Sequence, residues 1–161
     1  MIREVNREEI PQCVELIKKS FQTVADEFCI TPENAPRYVA FATTNERLLW
    51  QIDEEHRPMF VFEENGVLCG YYSLLLQANG ECELNNLAVL PEYRHKGIGK
   101  KLLEHSFETA RTLGCAVMNI GIIEENSVLR KWYEDNGAVH IGIKKFDFFP
   151  FTCGYLKKTI D

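Results

Sequence analysis

Apolar and charged residues alternate from Ile2 to Val5, which predicts a short opening strand. Asn6 followed three residues later by Glu9 has the form of a capping box, opening a helix through about Lys19. Pro32 and Pro36 punctuate the next stretch, after which Tyr38, Phe41 and Ala42 fall at helical spacing through about Leu49, and Asp53-Glu54-Glu55 reads as a solvated loop. From Met59 the period becomes two. Met59 to Glu63 and Val67 to Leu76 form a hairpin around Asn65-Gly66, and beyond Asn79-Gly80 a third strand runs from Glu81 to Leu90. Strict alternation would put Glu81, Glu83, Asn85, Leu87 and Val89 on one face of it.

After Pro91 the period turns helical, with Ile98, Leu102, Leu103, Phe107, Ala110 and Leu113 on one stripe that ends at Gly114. Cys115 to Ile120 reads as a short buried strand. Asn126 or Ser127 caps a helix carrying Leu129, Trp132 and Tyr133, which Asn136-Gly137 ends; Val139 to Phe146 and Phe151 to Lys158 read as two closing strands. The order βααβββαβαββ, with no internal repeat or low-complexity linker, predicts one α/β domain over residues 1–161, a mixed and mostly antiparallel sheet flanked by helices.

The balance of 24 acidic against 18 basic residues argues against a nucleic-acid backbone as partner, which would require a basic face. No apolar run approaches the length of a membrane span, roughly 20 residues. Met1-Ile2-Arg3-Glu4 shows no signal-peptide core, so a cytoplasmic protein without a membrane partner is expected. The six cysteines are scattered, with no Cys-x-x-Cys pair and no histidine at zinc-ligand spacing. They read as reduced thiols, and no metal is expected.

Against this acidic background, Arg94, His95, Lys96, Lys100 and Lys101 surround the start of the fourth predicted helix, whose first turn holds Gly97 and Gly99. Free amides and positive potential at a helix N-terminus suit a phosphate. A Walker A loop needs four residues between its glycines, and here there is one. A dinucleotide fingerprint needs a third glycine where Leu102 stands, early in a parallel βαβ unit, whereas this segment follows an antiparallel meander.

Arg94-His95-Lys96-Gly97-Ile98-Gly99, after a strand ending Val89-Leu90-Pro91, resembles the Arg/Gln-x-x-Gly-x-Gly/Ala signature of the GNAT superfamily of acyl-CoA-dependent N-acyltransferases. The resemblance extends to the length, the element order and the segment Asn126 to Gly137. It implies that Arg94 and the loop amides of His95, Lys96, Gly97, Ile98, Gly99 and Lys100 hold the pyrophosphate of acetyl-CoA or coenzyme A. The backbone of Leu87, Ala88 and Val89 would then pair with the pantetheine arm, with an N–H of Leu87 or Val89 as the oxyanion donor. Asn126 matches a pantetheine-contacting position and equally an N-cap, and Lys100 or Lys101 is placed to meet the 3′-phosphate.

Acyl transfer from a thioester to an amine needs a neutral nucleophile, a donor to the carbonyl and a proton for the leaving thiolate. By the resemblance Tyr133 is the acid. Glu83, six residues before Val89, stands where the histone-acetylating branch carries its base, and Glu81 is an alternative. Two features depart from the family pattern: Ala138 follows Gly137 where a large aromatic is usual, and residues 146–155 are unusually aromatic. The expected function is acetyl transfer from acetyl-CoA to a primary amine, of a small molecule rather than a protein, with a homodimer possible. The alternative is a catalytically silent acyl-CoA-binding module.

Overall fold

In the computed structural model, which describes residues 1–161, the period-two segments form β1 (Ile2–Glu4), β2 (Met59–Glu64), β3 (Val67–Leu76), β4 (Glu81–Val89), β5 (Val117–Ile123), β6 (Val139–Lys145) and β7 (Thr152–Thr159). They join one sheet in the order β1-β2-β3-β4-β5-β7-β6. Only β4 and β5 are parallel; every other neighbouring pair is antiparallel. Asn65 and Gly66 both take positive φ (50° and 80°). The tight hairpin turn between β2 and β3 requires it.

The helices are α1 (Ile10–Glu27), α2 (Val39–Ala42), α3 (Asn45–Asp53), α4 (Ile98–Thr112) and α5 (Ser127–Asp135). The Asn6 N–H donates to Glu9 Oε1 at 2.9 Å, but that segment is a 3-10 turn and α1 follows it. α1 runs past its expected end at Lys19 to Glu27. Its buried stripe continues through Ser20 and Ala25, and the Thr23 hydroxyl donates back to the Ser20 carbonyl at 2.8 Å, so neither polar residue breaks the helix. The expected single helix over Tyr38–Leu49 is two. The Thr43 hydroxyl turns back to the Val39 carbonyl at 2.6 Å, and Thr44 caps α3 by accepting the Arg47 N–H at 3.1 Å. β5 extends to Ile123 rather than Ile120 because β7 pairs with it along its whole length.

Helices cover both faces of the sheet. On one, Ile98, Leu102, Leu103 and Ala110 of α4 pack with Tyr72, Leu74, Cys82, Leu84, Met118 and Ile120. Burying each such leucine stabilises the fold by roughly 1.5–3 kcal/mol relative to exposure. Gly70 permits the close approach, since a Cβ there would lie 2.6 Å from Leu102 Cδ1. On the other face, Ile10, Cys13, Val14 and Ile17 of α1 and Leu48 of α3 pack with Val61, Tyr71 and Ala88. A third cluster gathers Ala25, Tyr38, Ile123 and Phe151, with Phe21, Phe41 and Phe149 against it, so the aromatic tail packs onto the α1 side. All six cysteines are free, and four of them are buried.

One irregularity governs the site. The β3–β4 register shifts between Tyr71↔Ala88 and Ser73↔Asn85, and Asn86 takes a φ of 55°. Together these mark a β-bulge. Cys82 and Leu84 face α4, and past the bulge it is Leu87 and Val89 that do so, while Ala88 faces α1. The strand has changed phase. Glu83 therefore lies on the α1 face, opposite the Leu87 and Val89 side chains, which corrects the expected shared face.

Candidate active site

Beside the bulge the sheet opens. β4 pairs with β5 only from Glu81↔Val117 to Leu84↔Ile120, yet β4 stays on β3 as far as Val89 and β5 stays on β7 as far as Ile123. From Asn85 to Val89 the β5-facing edge of β4 has no strand beside it. Unpaired backbone groups inside a sheet call for a partner, and an extended, amide-bearing chain can supply one as an added strand does.

At the end of β4 the chain turns into α4 through a loop built for an anion. His95 (φ 63°) and Gly97 (φ 82°) are left-handed. That backbone form curls successive N–H groups toward one point. The N–H groups of His95, Lys96, Gly97, Ile98, Gly99 and Lys100 donate to no acceptor in the chain, and Lys101 is the first to bond, to the Gly97 carbonyl at 3.1 Å. These consecutive free donors stand at the positive end of α4, a helix of 15 residues, and fit a pyrophosphate. Gly97 is required by its φ, since a Cβ there would meet nothing within 4 Å. A Cβ on Gly99 would touch Trp132 and Val89 only at ordinary contact distance (3.7 and 3.8 Å), so alanine fits there.

The side chain of Arg94 does other work than the sequence suggested. Its guanidinium donates to the Val89 carbonyl at 3.0 Å, to Thr23 Oγ1 at 2.9 Å and to the Ser20 carbonyl at 2.9 Å, tying the end of β4 to α1. Its backbone N–H is taken by the Pro91 carbonyl. Arg94 shapes the loop from beneath, and the amides that follow it face outward. Lys96 lies over the Tyr93 ring at 5.2 Å and Lys101 over Phe62 at 6.0 Å, while Lys100 is exposed.

α5 is docked on this loop. Trp132 packs on Gly99 and lies edge-on to Tyr133, with ring centroids 5.0 Å apart. Tyr133 is buried within the α4-side core, its hydroxyl bonded to no group of the chain, and burial pushes its pKa above the ordinary phenol range. It holds its proton at neutral pH and is available as a donor. Asn126 accepts the Leu129 N–H at 3.2 Å as the N-cap of α5. That bond engages its side-chain oxygen and leaves its amide nitrogen free. Ala138 is buried in the same core.

On the α1 face Glu83 is half-buried, and desolvation raises its pKa, opposed by the positive charge of Arg57 and by hydrogen bonding to Asn85. With its amide oriented to satisfy both neighbours, Asn85 donates to Glu83 Oε1 at 2.9 Å and accepts from Arg57 at 3.3 Å. Glu81, the alternative base, is within 3.7 Å of the Lys157 ammonium and accepts the Asn119 amide at 2.9 Å. Of the two carboxylates, Glu83 is the one without an ion-pair partner.

Two shallow hollows, of about 370 Å³ beside Ile10, Pro11 and Leu49 and about 510 Å³ over α4 beside His105, lie elsewhere. No three His, Cys, Asp or Glu side chains group as metal ligands, and no helix is long and apolar enough to cross a membrane.

Residues 18–138 match the family model of the GNAT acetyltransferases. The chain belongs to the GNAT acetyltransferase family. It is 23% identical over 167 aligned positions to an N-acetyltransferase encoded in the pepI 3′ region of Lactobacillus delbrueckii subsp. lactis, covering 98% of this chain and 92% of that protein. It is 27% identical over 95 positions to the ribosomal protein bS18-alanine N-acetyltransferase of Escherichia coli, covering 59% and 63%. The PaiA N-acetyltransferase of Thermoplasma acidophilum, solved in complex with coenzyme A, superimposes with a TM-score of 0.83 at 21% identity over 99% of this chain and 98% of its own.

This GNAT N-acetyltransferase has a turn of free amides after β4, a gap beside β4, a buried phenol on the α4 side of the sheet and, on the α1 side, a carboxylate without an ion-pair partner. Not anticipated from the sequence were Asn86, whose φ sets the bulge, and Asn85 and Arg57, which hold Glu83. The adjacent asparagines within a strand were the available signal, since asparagine is poor in strands and tolerates the left-handed form.

Proposed function

We propose that the protein transfers an acetyl group from acetyl-CoA to the primary amine of a small molecule. The observation that carries this reading is the run of free amides from His95 to Lys100, ending a strand whose β5-facing edge is unpaired from Asn85. The donor set fits a pyrophosphate, and the open edge fits the amides of a pantetheine arm. The residues that would hold the coenzyme are the 95–100 amides and the backbone of Leu87, Ala88 and Val89, with Asn126 at the far side of the gap. When bound, the thioester supplies an activated acetyl carbon.

The chain's own groups then divide the work. Glu83 takes a proton from the acceptor ammonium and leaves a neutral amine. An N–H of Leu87 or Val89 donates to the carbonyl oxygen as charge builds on it. Tyr133 gives its proton to the departing sulfur as the C–N bond forms and the C–S bond breaks. The amine loses a second proton as the amide forms, and Tyr133 regains one from solvent, so that an amide, a thiol and one released proton balance the exchange.

Calorimetric titration with acetyl-CoA, followed by thiol release on adding a panel of amines, tests the reading. Micromolar binding with amine-dependent release is expected. Binding without release across the panel would leave only a coenzyme-binding module, and no binding would overturn the site.

A further inference from the structure

The sheet register assembles a groove floor on the α1 face. Glu83 pairs across to Asn119, Gly121 to Tyr155 and Ile123 to Cys153, and alternate residues along each strand share a face. Gly121 is exposed, and a Cβ there would meet nothing within 4 Å, so the floor is open at the point where β4 and β5 part. One step further along the same face the aromatic cluster closes over Ile123, with Tyr38 and Phe151 buried and Phe41 and Phe149 half-exposed. An acceptor entering here meets a carboxylate at one side and aromatic rings at the other.

The cations nearest the Glu83 end of this floor are matched. Arg57 pairs with Glu55 at 2.8 Å and Lys157 lies 3.7 Å from Glu81. Glu83 has no ion-pair partner: its hydrogen-bond neighbours are the amides of Asn85 and Gln77, and the Arg57 guanidinium acts on it only from beyond Asn85. An ammonium is complementary to it. A carboxylate carried beside the reacting amine would face Glu83 with Arg57 and Lys157 already engaged, and a second ammonium placed among the aromatic rings would have to shed water against them.

We propose that the acceptor is a singly charged primary amine with an apolar, aromatic body, an arylalkylamine, rather than a polyamine or a zwitterionic amino acid. This rests on the acetyl-transfer reading above for its chemistry and on the groove for its selectivity. The aromatic cluster around Ile123 takes the ring, Glu83 receives the ammonium, and Gly121, paired with Tyr155, leaves the passage through which nitrogen and acetyl carbon meet.

The test separates the two claims. Titrating 2-phenylethylamine, ethylamine, spermidine and alanine into the protein–coenzyme A complex reads the groove, and thiol release from acetyl-CoA with the same amines reads the chemistry. Affinity for 2-phenylethylamine is expected to exceed that for each of the others by about tenfold or more, about 1.4 kcal/mol. Glu83→Gln and Gly121→Val should each lower it by at least about tenfold with coenzyme A affinity unchanged. Equal or tighter binding of spermidine, ethylamine or alanine, or unchanged affinity in Glu83→Gln, would overturn the proposal. Tight binding of 2-phenylethylamine without thiol release would uphold the groove and overturn the transfer chemistry; thiol release with spermidine or alanine alone would do the opposite.

Discussion

The Arg94 guanidinium donates to the Ser20 carbonyl at 2.9 Å, and through that bond α1 is fastened to the end of β4, where the chain leads into the turn of free amides. Two further bonds, to Thr23 and to Val89, make the contact a three-point tie between segments far apart in sequence. Hydrogen bonds to charged groups are worth about 1.5–3 kcal/mol each, less what water recovers when the side chain is removed. Arg94→Ala should therefore destabilise the fold by about 2–3 kcal/mol, or roughly 4–12 °C in melting temperature for a domain of this size. Arg94→Lys, which has no fork, should recover only part of it. Thermal melts check this; a loss of coenzyme affinity with unchanged stability would instead make Arg94 a direct phosphate ligand.

Tyr133 is buried with its hydroxyl bonded to nothing in the chain, so Tyr133→Phe removes a functional group and almost no packing. Loss of a general acid lowers turnover by about 10²–10⁴. The expected result is a kcat reduced in that range, a coenzyme A affinity within about twofold of the parent and a melting temperature at or slightly above it. Parent-like turnover would remove Tyr133 from the mechanism.

The parts of this molecule that were legible in the sequence are those governed by local rules. The Asn65-Gly66 turn, the α4 stripe from Ile98 to Ala110 and the Arg94–Gly99 turn each follow from residue type and spacing, and each is where it was expected. The face occupied by Glu83 was not legible, because strand alternation holds only while register is unbroken, and the bulge at Asn86 is set by pairing with the neighbouring strand β3. The role of Arg94 was hidden for a related reason. Its charge suits a phosphate, but its partners Ser20 and Thr23 are brought beside it only when α1 packs on the sheet. Local sequence names the chemical groups available, and long-range pairing decides what each one faces.

In the proposed reaction Glu83 carries the pH dependence. Burial raises its pKa above the ordinary glutamate value of about 4.3, with Arg57 and Asn85 opposing the rise. As a base it must be ionised, so kcat/KM should fall on the acid side as pH drops through a value above the ordinary carboxylate range, and Glu83→Gln should lose this limb together with about 10²–10⁴ of activity. Stability moves the other way. A carboxyl whose folded pKa is raised favours folding below its unfolded pKa, and that contribution is lost as pH rises through the folded value. Glu83→Gln should thus melt above the parent at pH 7, with the difference shrinking toward pH 4. A parent that melts higher at pH 7 would show that the Glu83 carboxylate is paired more strongly than its neighbours account for.

Gly97 separates backbone shape from charge in the anion-binding turn. Its φ of 82° strains any residue with a Cβ, yet nothing in the chain lies within 4 Å of where that Cβ would stand. Gly97→Ala should therefore show the strain alone, about 1–2 kcal/mol of stability, with coenzyme A affinity reduced no more than about tenfold. Gly97→Asp adds a carboxylate at the positive end of α4, where it competes for the same free amides as the pyrophosphate. It should fold about as well as Gly97→Ala, because the helix terminus welcomes the charge, and should lose coenzyme A binding by at least about a hundredfold relative to that variant. Calorimetry and thermal melts on the two proteins distinguish the effects. Equal affinity in both variants would mean that the amides of residues 95–100 do not hold the phosphates, and the binding site would have to be sought along the open edge of β4 alone.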